Sequence, residues 1–103
     1  MDEQKIYAIL RHYGPEVQTV KAIEEMSELQ VELAKMANLH GDVEAIKSEI
    51  ADVYIMLLQL MSIYDVEPEE LDAEVAYKLD RQIRRIEEEK RAGVDCGWRE
   101  GGM

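Results

Sequence analysis

Cysteine occurs once in the 103 residues, at Cys96, so no disulfide can form within the chain and a reducing, cytoplasmic setting is expected. Phenylalanine is absent, tryptophan occurs once, and there are two prolines and six glycines. That composition disfavours sandwiches and disordered segments and suits packed helices. Lysine and arginine number 12 against 23 aspartates and glutamates. The net charge of −11 denies the chain the basic footprint that a nucleic-acid polymer or an anionic membrane demands, so neither is an expected partner. Long hydrophobic runs are missing too. The most apolar stretch, Ile50 to Tyr64, is too short to span a bilayer and is broken by Asp52, Gln59 and Ser62. The opening residues "MDEQKIYAILRHYG" lack the apolar core of a signal peptide.

What remains is 47% apolar and 34% charged residues, enough for one domain and not for two. Helical apolar spacing and readable punctuation predict an all-α bundle of about four helices over residues 1–92, followed by an irregular Gly-rich tail over 93–103 that holds Cys96 and Trp98. "YGPE" (13–16) stops a short first helix at Gly14 and restarts at Pro15, a favoured first-turn residue. The second helix runs to about Asn38. "NLHGD" (38–42) offers Gly41 as a stop and Asp42 as a cap for a third helix from about Val43 to Tyr64. "DVEPEELD" (65–72) places Asp65 or Glu67 ahead of Pro68, with acids in the first turn of a fourth helix that continues to about Arg91.

On the third helix Ala45, Val53, Met56, Leu60 and Ile63 share one sector, and Glu49 and Asp52 fall inside it. Ile50, Ile55, Leu57, Leu58 and Met61 cover most of the remaining circumference. A helix apolar nearly all round must be enclosed, and four short helices are too few, so completion of the bundle by dimerisation or tetramerisation is expected. On the second helix Ile23, Met26, Leu29 and Leu33 are the expected core stripe, with Glu25 at its edge and Glu28 one turn on. Glu25 and Glu28 on one helix, and Glu49 and Asp52 on the next, are each three residues apart, so an antiparallel pair joined by a short turn can bring all four acids together.

Four carboxylates converging in an apolar setting repel one another and each loses several kcal/mol of hydration, so something positive must answer them. An all-carboxylate donor set without His or Cys suits a hard ion, Mg²⁺ first and Mn²⁺ next. The competing readings are plain. Glu24, Glu32 and Glu44 fit the solvated face of an amphipathic helix, and Glu49 and Asp52 fit ion pairs with Lys or Arg of another helix.

"EEMSE" (24–28) and, after twenty residues, "EIAD" (49–52) resemble the paired acidic motif of the MazG-like all-α nucleoside triphosphate pyrophosphohydrolases. That superfamily also holds dimeric dUTPases, dCTP pyrophosphatases and phosphoribosyl-ATP pyrophosphohydrolase, and the resemblance extends over about residues 16–90. It implies that Glu25, Glu28, Glu49 and Asp52 hold Mg²⁺, that a nucleoside triphosphate is cleaved to its monophosphate and pyrophosphate in nucleotide-pool cleansing or control, and that the chain self-associates. Glu28 or Glu24 would orient or deprotonate the attacking water; spacing does not choose between them.

On the fourth helix Leu71, Val75, Leu79, Ile83 and Ile86 form an apolar stripe flanked by Lys78, Arg81 and Arg85, cations suited to phosphate oxygens or, equally, to salt bridges with Asp80, Glu87, Glu88 and Glu89. Lys78 and Arg81 match a Lys-x-x-Arg that members of the resembled family often carry, whereas the Asn often found beside it is absent here, where Ala76, Asp80 and Gln82 stand. Gln18 and Lys21 precede Glu25 by two turns and one, and are further substrate-binding candidates beside the plainer readings of cap and neighbour pair. Phosphoribosyl-ATP pyrophosphohydrolase ranks lower, because that branch tends to place a His where this chain has "VYIML" (53–57). A di-iron site ranks lower still, since neither His12 nor His40 stands in Glu-x-x-His spacing. The non-enzymatic rival is a helical interaction module with buried ion pairs.

Overall fold

The computed structural model describes residues 2–93 and is all-α, with no strand among those residues. Its helices are α1 (Glu3–Tyr13), α2 (Pro15–Ala37), α3 (Val43–Ile63) and α4 (Pro68–Arg91). The tail expected to be irregular lies, from residue 94 on, outside the described residues, as do Cys96 and Trp98. None of the four helices is long and apolar enough to cross a membrane.

Local chemistry accounts for the boundaries. Asp2 caps α1 by accepting a hydrogen bond from Lys5 N at 3.2 Å. Gly14, at φ 88°, closes α1 with its N–H on Leu10 O and hands the chain to Pro15. Asp42 caps α3, its Oδ1 accepting from Glu44 N at 3.0 Å.

The end of α2 departs from the sequence expectation. The left-handed residue is Leu39, at φ 65°, and not Gly41. His40 N–H reaches Lys35 O and Leu39 N–H reaches Met36 O, the paired hydrogen bonds of a Schellman closure, whose left-handed residue stands two residues before the glycine. Gly41 is required for a different reason. A Cβ there would stand 2.5 Å from Met36 Cα, so the chain reverses tightly only without a side chain at that point. The end of α3 repeats the closure, with Asp65 at φ 53° and Val66 N–H on Met61 O.

The described residues form two compact units, one ending at Glu67 and the other beginning at Pro68. In the first, α2 and α3 pack side by side as a hairpin and α1 rests on both. Its buried side chains are Ile6, Gln18, Ala22, Glu25, Met56 and Gln59, half of them polar. On α3 the inward sector is as expected, with Met56 buried and Ala45, Glu49, Asp52, Val53, Leu60 and Ile63 half-buried.

On α2 the expected core stripe is displaced. Ile23 is 57% exposed and Leu33 49%, and Met26 also stays at the surface. The inward line is Gln18, Ala22, Glu25, Leu29, Glu32 and Met36. Hydrophobicity alone misplaced it because acids and an amide hold inward positions that an ordinary amphipathic helix gives to aliphatics. The second unit is α4, none of whose residues is buried; Leu71, Val75, Leu79 and Ile83 are all exposed.

Candidate metal centre

Glu25 sits at the middle of the inward line of α2 and retains only 6% of its exposure. Across the hairpin, one turn of α3 presents Glu49 and Asp52 on a shared face. The three residues each offer an oxygen lying within 4.8 Å of the other two. Two oxygens on opposite sides of a Mg²⁺ ion, each at 2.0–2.1 Å, are about 4.1 Å apart. The cluster therefore has the span of such an ion's ligand shell to within an ångström.

Two oxygens in it are left over. Glu25 Oε2 and Glu49 Oε2 are buried without a hydrogen-bond partner, a condition that costs free energy unless a donor or a cation completes it. Lys21, one turn before Glu25, donates to Glu25 Oε1 at 3.1 Å and lies 4.0 Å from Glu24. This ion pair comes from the same helix and meets one oxygen of one acid. Among the described residues no ion pair holds Glu49 or Asp52.

The electrostatics agree with crowding. The Glu49 carboxyl is raised above its ordinary 4.5, first by loss of hydration and then by the charges of Glu28, Asp52, Glu25 and Glu32. Asp52 is raised above 3.8, first by loss of hydration, then by the charge of Glu25 and a hydrogen bond with it, while Lys21 opposes. Lys21 itself is raised above 10.5, first by its hydrogen bond to Glu25 and then by that group's charge.

Three of the four expected ligands thus converge, and the fourth does not join them. Glu28 is exposed, because three residues advance a helix by about 300° and leave it some 60° round from the buried Glu25. Its charge nonetheless reaches Glu49. Glu24 is exposed and lines a neighbouring groove. Of the plain readings, Glu44 behaves as a surface acid paired with Lys47, while Glu32 is half-buried and paired with Lys35. On α4, in the second unit, Lys78 and Arg85 are exposed and the Arg81 guanidinium stands 5.7 Å from the centre of the Tyr77 ring.

The groove lies beside the acids, between the start of α2, α1 and the middle of α3, and encloses about 670 Å³. Its walls are mostly aliphatic, and Lys21 and Glu24 stand among its lining. Gln18 and Gln59 also line it and are joined there: Gln18 Nε2 donates to Gln59 Oε1 at 2.8 Å, and Gln59 Nε2 donates to Ile6 O at 3.2 Å. Gln18 is therefore neither a cap nor a surface residue. Gln59, 1% exposed, is the most deeply buried large side chain described, and sequence reasoning missed it. A glutamine within an apolar run, one turn on from Met56 on the inward face, was the available signal. Compared with family models, curated proteins and solved structures, the chain matches none of them.

Proposed function

We propose that the protein is a divalent-cation-dependent hydrolase that cleaves a nucleoside triphosphate to the monophosphate and pyrophosphate. The observation that carries this reading is Glu25, a buried acid with an unpartnered oxygen that clusters with Asp52 and with Glu49, which has an unpartnered oxygen of its own. Supporting it is the resemblance of "EEMSE" and "EIAD" to the acidic motif of MazG-like enzymes.

Glu25, Glu49 and Asp52 would hold the ion, and their all-oxygen donor set and spacing fit Mg²⁺ or Mn²⁺. When bound, the ion supplies neutralisation of phosphate charge and acidification of water. The chain's own groups do the rest. Glu28, on the exposed flank and within electrostatic reach of Glu49, is the group placed to orient water toward phosphorus and accept its proton; Glu24, facing the groove, is the other. Water's oxygen would bond to one phosphorus of the α–β anhydride as its bond to the bridging oxygen breaks, and the departing fragment, pyrophosphate or the nucleoside monophosphate, would take the electron pair. Lys21, half-exposed and lining the groove, would exchange Glu25 for a phosphate oxygen and offset the charge on that side. For Lys78 and Arg81 a phosphate role rests on the resemblance, and for Arg85 only on its place beside them on the flank of the α4 stripe. Self-association belongs to the same proposal, motivated by the exposed Ile50, Tyr54 and Leu57 of α3.

Pyrophosphate release from a panel of canonical and modified nucleotides, with and without Mg²⁺, tests the reading. Turnover is expected with the ion only, and Glu49→Gln is expected to lower it more than about 100-fold, beyond what loss of an outer-sphere partner costs. Normal turnover in Glu49→Gln would sink the proposal. The non-catalytic interaction module predicts no turnover at all, and phosphoribosyl-ATP in the panel covers the related hydrolase.

A further inference from the structure

We infer that α1 is a hinged lid: it undocks from the α2/α3 hairpin as one unit, turning at Gly14, and so opens the groove of which it forms one wall. Such a lid works whether or not the chain cleaves nucleotides. Two features carry it, the slightness of the hold on α1 and the backbone conformation at its end.

Of the 11 residues of α1, Ile6 alone is buried and Leu10 is half-buried; the others are exposed. Among the described residues one side-chain hydrogen bond ties α1 to the hairpin, from Gln59 Nε2 to Ile6 O at 3.2 Å, and no ion pair does. The aliphatic anchor and the polar clasp thus meet at a single residue. The clasp is of a kind that releases cheaply, because water can take the place of the carbonyl once α1 lifts. An isolated helix shorter than about 12–15 residues is marginal in water, so α1 is helical because it is docked, and undocking and melting are one event.

Gly14 stands at φ 88° and ψ 161°, a region of backbone space essentially reserved for glycine. A Cβ there would meet nothing within 4 Å, so the glycine answers to conformation and not to crowding. Only the docked form needs that conformation. Pro15, with its fixed φ, begins α2 on the far side and confines the turning to Gly14.

α1 contributes Ile9 and Tyr13 to the groove, across from Val20 and Met56 of the hairpin. Lifting it turns the groove into an open face and brings water to Gln59, which is 1% exposed when α1 is down.

Hydrogen exchange of the full-length ¹⁵N-labelled chain in EDTA, followed by NMR, tests the lid. The hydrogen-bonded amides of α1 are expected to share one protection, to exchange at least about 100-fold faster than the central amides of α2 and α3, and to be joined by the Gln59 side-chain amide. Gly14→Ala is expected to speed this set about tenfold and leave α2 and α3 unchanged, since the strain falls on the docked form alone. Ile6→Ala is expected to speed the same set by about tenfold or more.

Equal protection across α1, α2 and α3 would overturn the lid. So would protection that decays from the Glu3 end while the Gln59 amide stays shielded, which is fraying in place. Both are read on the unaltered chain, so neither depends on a variant folding. A folded Gly14→Ala that leaves α1 exchange as it was, or speeds all three helices alike, would overturn it too. Presence or absence of pyrophosphate release moves none of these readings, so the lid and the hydrolase stand or fall separately.

Discussion

α2 and α4 are nearly equal in length, 23 and 24 residues, and they use their faces in opposite ways. α4 is amphipathic in the ordinary sense, with an apolar stripe of Leu71, Val75, Leu79 and Ile83 that stays exposed. α2 turns Gln18 and Glu25 inward with only Ala22 between them, and leaves Val17, Val20, Ile23 and Val31 to solvent. A helix that buries polar groups and exposes aliphatic ones gives up packing energy along its seam. The difference makes the α2 seam the candidate for a binding site and the α4 stripe a face available for packing.

The widest way to break that contrast is to supply the cation. If Glu25, Glu49 and Asp52 form a binding site, Mg²⁺ at 100 times its dissociation constant should stabilise the chain by about 2.7 kcal/mol, and Glu49→Gln should lose that response. Without the ion, stability should fall as pH rises through the elevated carboxyl values of Glu49 and Asp52. The folded form then holds protons that the unfolded form has already lost, so the contribution is fully present only below the ordinary 4.5 and 3.8. Saturating Mg²⁺ should flatten or reverse that slope. A melting series across pH, with and without the ion, checks both signs. A metal-independent profile would reduce α2 to a helix with inconvenient acids.

A second test compares the helices directly. Ala22, 1% exposed, is the small residue that lets α2 approach its neighbours, so Ala22→Leu should cost about 1–3 kcal/mol by overpacking. Leu79→Ala on α4, at a residue 60% exposed, should shift stability by no more than about 0.5 kcal/mol in the isolated chain. Denaturant midpoints give both numbers. A larger loss at Leu79 that grows with protein concentration would mean that the α4 stripe is covered in an assembly. At the α2 terminus the expected change has the opposite sign. Leu39 holds φ 65° with a side chain 92% exposed, so Leu39→Gly should relieve backbone strain without losing packing and gain about 1 kcal/mol.

The sequence was most legible where one residue decides one boundary. Gly14 and Pro15, Asp42 and Pro68 stand at the expected helix ends because a cap or a missing N–H acts over a single turn. The acids of α3 were legible because Glu49 and Asp52 share one sector of the helix with Ala45, Val53, Met56 and Leu60, which are buried or half-buried. Glu25 was recognisable but misplaced at an edge, because the stripe of Ile23 and Leu33 outweighed it in any count of apolar residues. The Gln18–Gln59 relay was out of reach. It links residues 41 apart, and each glutamine alone reads as an interruption or a surface group. Likewise, nothing local says that Leu39 takes the left-handed turn while a glycine waits two residues on.

Gly41 touches none of the acids, yet it fixes where the strand of backbone leaving α2 can lie, because only a hydrogen fits against Met36 at that crossing. A methyl group there would push the two arms of the hairpin apart at their hinge. Eight residues downstream, Glu49 would inherit the displacement. Loss of activity in such a variant would have a geometric origin: a spacer too thick, holding intact ligands at the wrong separation.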